Sequence, residues 1–454
     1  MRHTSSLSGN LLFFAFLGLL AWAPVPLASN RTWALGLLAG GMLLLLAVAV
    51  VRTTLRGHSV LERFGAGRWP LVCMLLYAAW IAAQWVGFGG FFVTADRFNT
   101  LQYLLATLTY SAAFALVLLL VRGEQRMIWL MAAVVVIGVL EGLVAIALFA
   151  SHAEHIYLFM PYKQGARAMG TFANFDHLAA FMEMCVSIGI GLMLARMNYD
   201  EPGASSARQK AVALLKFVLS RKMLVRLMLV MMVITLVLTR SRMGNVAFFT
   251  SLLLVGGLGM LSNPRLRRSA MWLVVSLVVV DVVIVGQWVG LDRVVERLQN
   301  TAVTTEEARG EETLEQRADT PRQALGMVRE RPLTGFGAGA FYTVFPRFKS
   351  ADKENYWNHA HSDYVQIAAE TGLVGLALLA AVVLMTIGRI VRFWNERESR
   401  LNRGVAFGVA MAVSCMLIHG WVDFIFQIPA NALFFSVLLA LVWVLVPRSR
   451  MLKG

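Results

Sequence analysis

Residues 33–51 read WALGLLAGGMLLLLAVAVV, a block without one charged side chain. As a helix rising about 1.5 Å per residue, it nearly spans the hydrocarbon core of a bilayer, about 30 Å. Comparable apolar blocks cover approximately 10–28, 69–88, 101–121, 127–150, 177–195, 224–239, 243–262, 269–289, 370–391, 404–422 and 431–447, so the sequence predicts twelve transmembrane helices. Composition agrees. Of 454 residues, 58% are hydrophobic and only 15% charged, where a soluble domain carries about 25% charged residues. A soluble enzyme and a disordered regulator are excluded. A β-barrel would alternate apolar and polar residues along strands of roughly ten residues, and these blocks do not. The expected fold is an all-α polytopic membrane protein. Residues 1–289 would form helices 1–9, residues 290–362 a large loop with short helices, and residues 363–454 helices 10–12 and a tail. The first block runs straight into the second, which predicts a retained helix rather than a cleaved signal peptide.

Charge sets the expected orientation. With both termini in the cytoplasm, the inner segments hold 25 of the 41 Lys and Arg residues, including Arg52, Arg56, Arg63 and Arg68. The short outer loops hold six: Arg31, Arg97, Lys163, Arg167, Arg240 and Arg242. Short loops decide topology because long ones translocate regardless of charge. The net charge of +15 therefore reports orientation and not nucleic-acid binding. Residues 290–362 would lie outside, with the Glu- and Arg-rich stretch 305–331 forming surface helices. On the inner side, 208–226 has the spacing of an interfacial helix on an anionic leaflet, or of a plain basic loop. Cys73, Cys185 and Cys415 lie far apart in apolar blocks, and no CxxC or HExxH occurs, so neither a disulfide framework nor a structural metal site is expected.

Three constellations can carry chemistry. The first runs from Pro332-Leu-Thr-Gly-Phe-Gly-Ala-Gly to Asn358-His-Ala-His-Ser-Asp-Tyr. Gly335, Gly337 and Gly339 alternate, allowing close backbone approach to a ligand or positive φ; a flexible turn reads equally well. His359 and His361 stand just before a membrane helix, where an imidazole can act as general base near neutral pH, or simply be solvated. The second is Arg240-Ser-Arg242, between two spans. Arg is costly at the edge of the hydrocarbon unless it is paired or snorkels, and it binds phosphate oxygens bidentately. The third is Arg167, in Gly165-Ala-Arg-Ala-Met-Gly-Thr-Phe-Ala-Asn-Phe-Asp-His177, where Asn174 and Asp176 are candidate helix caps and capping is the role read for Asp176. The intramembrane acids Glu141, Glu183 and Asp281 are equally explained by helix–helix hydrogen bonding, so they stay outside the candidate site.

GTFANFDHLA, TRSRMG, RPLTGFGAGAF and NHAHSDYVQIAAETG together resemble the O-antigen ligase superfamily, which also holds O-antigen and exopolysaccharide polymerases. Asp176 departs from the usual form of the first motif. The resemblance implies a GT-C-like inner-membrane glycosyltransferase without metal or cofactor. Its donor would be a glycan on undecaprenyl pyrophosphate, and the active site would face the periplasm. It implies that Arg167 and Arg242, with Arg240, hold the pyrophosphate, that Arg317 also faces the phosphates, and that His361 activates the acceptor hydroxyl. Inversion at the anomeric carbon follows from direct displacement. The favoured acceptor is lipid A–core. A polymerase joining lipid-linked repeat units and a pilin glycosyltransferase use the same machinery, and an anion transporter is the reading from another class.

Overall fold

A computed structural model describes residues 2–87, 93–151, 154–157, 160–163, 167–195, 221–262, 314–350, 357–394 and 399–446. The expected span at 269–289, residues 208–220 of the basic segment and residues 290–313 of the large loop lie outside these. The helices are α1 (Arg2–Trp22), α2 (Thr32–Leu55), α3 (Val60–Phe64), α4 (Arg68–Val86), α5 (Arg97–Leu120) and α6 (Gly123–Ser151). They continue as α7 (Phe175–Ala195), α8 (Arg221–Leu238), α9 (Arg242–Ser262), α10 (Leu314–Glu330), α11 (Phe341–Val344), α12 (Asp363–Trp394), α13 (Arg400–His419) and α14 (Pro429–Trp443). Among the described residues, eight helices are long and apolar enough to cross a membrane, and three apolar helices are shorter. The described residues are helical apart from one antiparallel hairpin that the sequence did not signal, β1 (Glu154–Tyr157) with β2 (Met160–Lys163).

The chain divides into two compact units. The first comprises Met1–Leu120, Val285–Ile387 and Met416–Trp443, and the second Val121–Ile284, Gly388–Cys415 and Val444–Gly454. In the first unit α5 packs against α2, α4 and α14. The stretch Ser111–Leu120 of α5 is buried on every side, as expected of a helix that is apolar all round. The outer segment of this unit has its own apolar core. Ala324 and Met327 of α10 meet Phe336, Phe341, Phe345, Trp357, Ala360 and Ala369.

In the second unit α7 is the central helix, packed against α6, α8 and α9 and buried from Asp176 to Met193. Lipid gives helices no hydrophobic reason to associate, so small residues and close van der Waals contact must do it. Gly404 and Gly408 of α13 form a GxxxG pair, and a Cβ on Gly191 of α7 would strike the Gly404 carbonyl and the Gly408 backbone. Ser251 of α9 adds a hydrogen bond to Ser414 of α13 at 2.9 Å.

Candidate active site

The first unit builds a histidine centre at the head of α12. The sequence reading starts the span near residue 370, but the helix begins at Asp363 and breaks at Gly372 (φ 69°, ψ −179°). Broken helices free backbone groups that lipid cannot satisfy, and here the strap at 332–338 satisfies them. Phe336 N–H donates to Ala369 O (3.0 Å), Gly337 N–H to Glu370 O (2.8 Å) and Leu373 N–H to Pro332 O (2.8 Å). From α4, Trp80 Nε1 donates to Thr371 O (2.9 Å). Gln84 Nε2 donates to Thr334 O (2.7 Å) and Glu370 O (3.0 Å), while its Oε1 accepts from Ala338 N–H (3.2 Å). The three glycines are where this strap meets the rest of the chain. A Cβ on Gly335 would strike the Glu370 carbonyl, one on Gly337 (φ 109°) the Thr94 side chain, and one on Gly339 the Tyr103 ring. The close backbone approach that the spacing signalled is thus made to the protein itself.

Above the break, His361 is buried and left-handed (φ 51°), a conformation that strains a non-glycine residue by about 1–3 kcal/mol. Contacts on both sides hold it there. Asp363 N–H donates to Gly420 O (2.9 Å) and Asp423 O (3.1 Å), and Ala360 N–H donates to Gln366 Oε1 (3.1 Å). The His361 Nδ1 lies 3.9 Å from Asp423 Oδ1. The ring stands edge-on between Trp357 (5.4 Å) and Phe424 (5.1 Å).

His359 is held differently. Its ring lies flat on Phe424, centroids 4.1 Å apart. The Ala360 N–H fixes Oε1 of Gln366, so Gln366 Nε2 faces Glu370 Oε1 (3.1 Å) and His359 Nδ1 (3.1 Å). Nδ1 of His359 is thus engaged by the Gln366 amide, whose Oε1 also lies 3.3 Å from it. Burial pushes its pKa down to about 4, against the opposing pull of the Gln366 hydrogen bond. Both histidines depend on the 419–427 turn, which is itself tied to Asp363. Phe426 N–H and Gln427 Nε2 each donate to the Asp363 carboxylate at 3.0 Å, and Tyr103 Oη donates to Gln427 Oε1 at 2.6 Å.

The second unit builds the arginine turn between α8 and α9. Thr239 Oγ1 donates to Leu236 O (2.6 Å) and accepts from Ser241 N–H (3.2 Å), while Ser241 Oγ caps α9 by accepting from Gly244 N–H (3.0 Å). Arg240 between them is left-handed (φ 52°), and Arg242 is the first residue of α9. Both side chains are exposed, and the first turn of α9 holds no acid. A helix N-terminus carries a partial positive charge of its own, so an Arg there adds like charge to like. The Arg167 segment joins this turn through Ala168 N–H, which donates to Leu238 O at 3.0 Å. The guanidinium of Arg167 sits over the Phe175 ring (4.3 Å). Glu141 of α6 fixes the same loop, accepting from Thr171 N–H (2.7 Å) and Thr171 Oγ1 (2.9 Å).

The structure thus places His359, His361 and the three glycines together in the first unit, and Arg167 beside the Arg240–Arg242 turn in the second. Arg317 lies in α10; its side chain is outside the described ones. One assignment is corrected. Helix α7 starts at Phe175, and Asn174 Oδ1 accepts from Asp176 N–H (2.7 Å), so Asn174 is the cap and Asp176 is a buried first-turn residue. Sequence reasoning missed Asp423 and Phe424, although a carboxylate at the very end of an apolar block is a usable signal. It also set Glu141 aside.

No curated protein matches the chain. Residues 227–380 match the family described as O-antigen ligase. That stretch contains Arg240, Arg242, the glycine strap and both histidines, so the match falls on three of the four motifs that carried the resemblance; GTFANFDHLA and Arg167 lie outside it. Over residues 227–380 the chain is thus similar to the O-antigen ligase family.

Proposed function

We propose that this multi-pass membrane protein moves a glycan from undecaprenyl pyrophosphate to an acceptor hydroxyl, with lipid A–core as the favoured acceptor; its similarity to the O-antigen ligase family and its apolar helices of membrane length support the reading. In this reading it lies in a bacterial inner membrane, with both termini cytoplasmic and the site facing the periplasm. The observation that carries it is the Arg240-Ser241-Arg242 turn, where two exposed guanidiniums flank an acid-free helix N-terminus. Two guanidiniums at a helix N-terminus suit a multiply charged anion, and a pyrophosphate is one. Arg240 is held in a costly backbone conformation to complete that turn.

The leaving pyrophosphate needs charge stabilisation, and the incoming hydroxyl needs a base. Arg167, Arg240 and Arg242, with Arg317, supply the first, in place of a metal ion. For the second, Nδ1 of His361 directed at Asp423 leaves Nε2 to take the acceptor's proton. His359 has its Nδ1 occupied by the Gln366 amide and its ring flat on Phe424, so it fits a positioning role better. The strap glycines hold the head of α12 and thereby the histidines. Direct displacement inverts the anomeric centre. Purified protein given an undecaprenyl-pyrophosphate glycan should glycosylate lipid A–core. Growth of the lipid-linked glycan alone would make it a polymerase, and no transfer to any acceptor would overturn the reading.

A further inference from the structure

The turn that carries Asp423 and Phe424 also carries Trp421, which is 70% exposed. We propose that Trp421, braced by Tyr364, is the stacking platform for a sugar ring of the acceptor glycan. This rests on the glycosyl-transfer reading and adds a subsite to it. A pyranose presents an apolar C–H face, for which an aromatic ring is the matching surface, and its hydroxyls stay in water at the rim.

The alternative for an exposed indole at the end of a membrane helix is an interfacial anchor. An anchor has no need of a brace, and this indole has one on one side. The Tyr364 ring packs against it at 5.5 Å and 55°, and Tyr364 Oη is itself tied to Leu417 O at 2.7 Å. The backbone beneath is equally constrained. Trp421 N–H donates to Ile418 O (3.3 Å), Val422 N–H to His419 O (3.1 Å), and Gly420 O receives Asp363 N–H (2.9 Å). A Cβ on Gly420 would press on Asp363 Oδ2 at 3.2 Å and Phe426 at 3.3 Å. An aromatic side chain has few rotatable bonds, and one on a fixed backbone with a bracing neighbour loses less entropy on binding, which suits a platform. Trp421 is also two residues from the carboxylate that faces His361 and three from the ring on which His359 lies. A sugar placed there belongs to the acceptor that the imidazole would serve.

The test is a titration of lipid A–core at saturating undecaprenyl-pyrophosphate glycan, with Trp421→Ala, Trp421→Leu and Trp421→Phe. The apparent KM for lipid A–core should rise roughly tenfold in the Ala and Leu variants and stay near wild type in Phe. In all three, kcat and the donor KM should stay unchanged, with a wild-type thermal midpoint in detergent. Leu performing as well as Phe would make Trp421 an apolar anchor and overturn the platform. So would an unchanged KM in the Ala variant, or a rise confined to the donor KM. Absence of glycan transfer by the wild-type protein would instead sink the reading on which the platform rests.

Discussion

His361 Nδ1 faces Asp423 Oδ1 at 3.9 Å, from opposite sides of the join between the α12 head and the α13–α14 turn. At that distance the carboxylate is a charge partner more than a hydrogen-bond acceptor, and such contacts tighten when substrate arrives. Asp423→Asn keeps the shape and removes the charge. Turnover should fall by about 10²-fold, the low end of what a general base contributes, while donor affinity measured by equilibrium binding stays at the wild-type value.

His359 gives the chain an acid-side liability. Its folded pKa of about 4 lies below the ordinary 6.5, so the folded protein binds fewer protons than the unfolded chain between these values. The stability contributed by the neutral ring is complete above 6.5 and is lost as pH falls towards 4. Thermal midpoints in detergent should therefore drop across that window. In His359→Gln the drop should be visibly smaller, and an identical slope in the two proteins would remove His359 as its source.

Glu141 holds the Arg167 loop by two hydrogen bonds to Thr171. Glu141→Ala strands both donors in a buried site, at a cost of about 1–3 kcal/mol. If the loop presents Arg167 to the donor, donor affinity should fall in Glu141→Ala as it does in Arg167→Ala, and the double variant should be no worse than the weaker single one. Binding measured on all three, in protein that elutes as a single species, checks this.

Two glycines separate packing from propensity. Gly337 has φ 109° with Thr94 in the way of any Cβ, whereas Gly388 in α12 has open space. Gly337→Ala should lower the thermal midpoint and reduce folded yield, since the strain there is of order 1–3 kcal/mol. Gly388→Ala should leave the midpoint level or raise it, because Ala gains about 0.5–1 kcal/mol over Gly within a helix.

The helices were legible because their signal is local: an uncharged run of membrane length needs no knowledge of its neighbours. The Arg240-Ser-Arg242 turn and the two histidines were legible for the same reason, as charges and imidazoles at the ends of such runs. What stayed hidden depends on partners far away in sequence. The break at Gly372 is stable only because the strap, Trp80 and Gln84 take up the freed backbone groups, and nothing near residue 372 announces Gln84. The alternating glycines read as close backbone approach to a ligand or positive φ; their positive φ is seen, but sequence cannot say that Thr94 and Tyr103 are what they approach. Asn174 and Asp176 offered two caps with similar chemistry, and only the start of α7 at Phe175 decides between them. Asp423 and Phe424 carried a faint local signal that was overshadowed by the stronger histidine motif.

The central claim, Arg242 on the pyrophosphate and His361 on the acceptor's proton, is tested most directly by measuring donor affinity and single-turnover rate on the same variants. Arg242→Ala should lose roughly two to three decades in rate, from about 2–4 kcal/mol of lost charge stabilisation, and should weaken donor binding. Arg242→Lys should remain impaired because its ammonium lacks the bidentate fork. His361→Ala should lose about 10²–10⁴-fold in rate with donor affinity intact, and His359→Ala should be milder. A His361→Ala protein that turns over at a near-wild-type rate, or a His359→Ala defect exceeding it, would contradict the account.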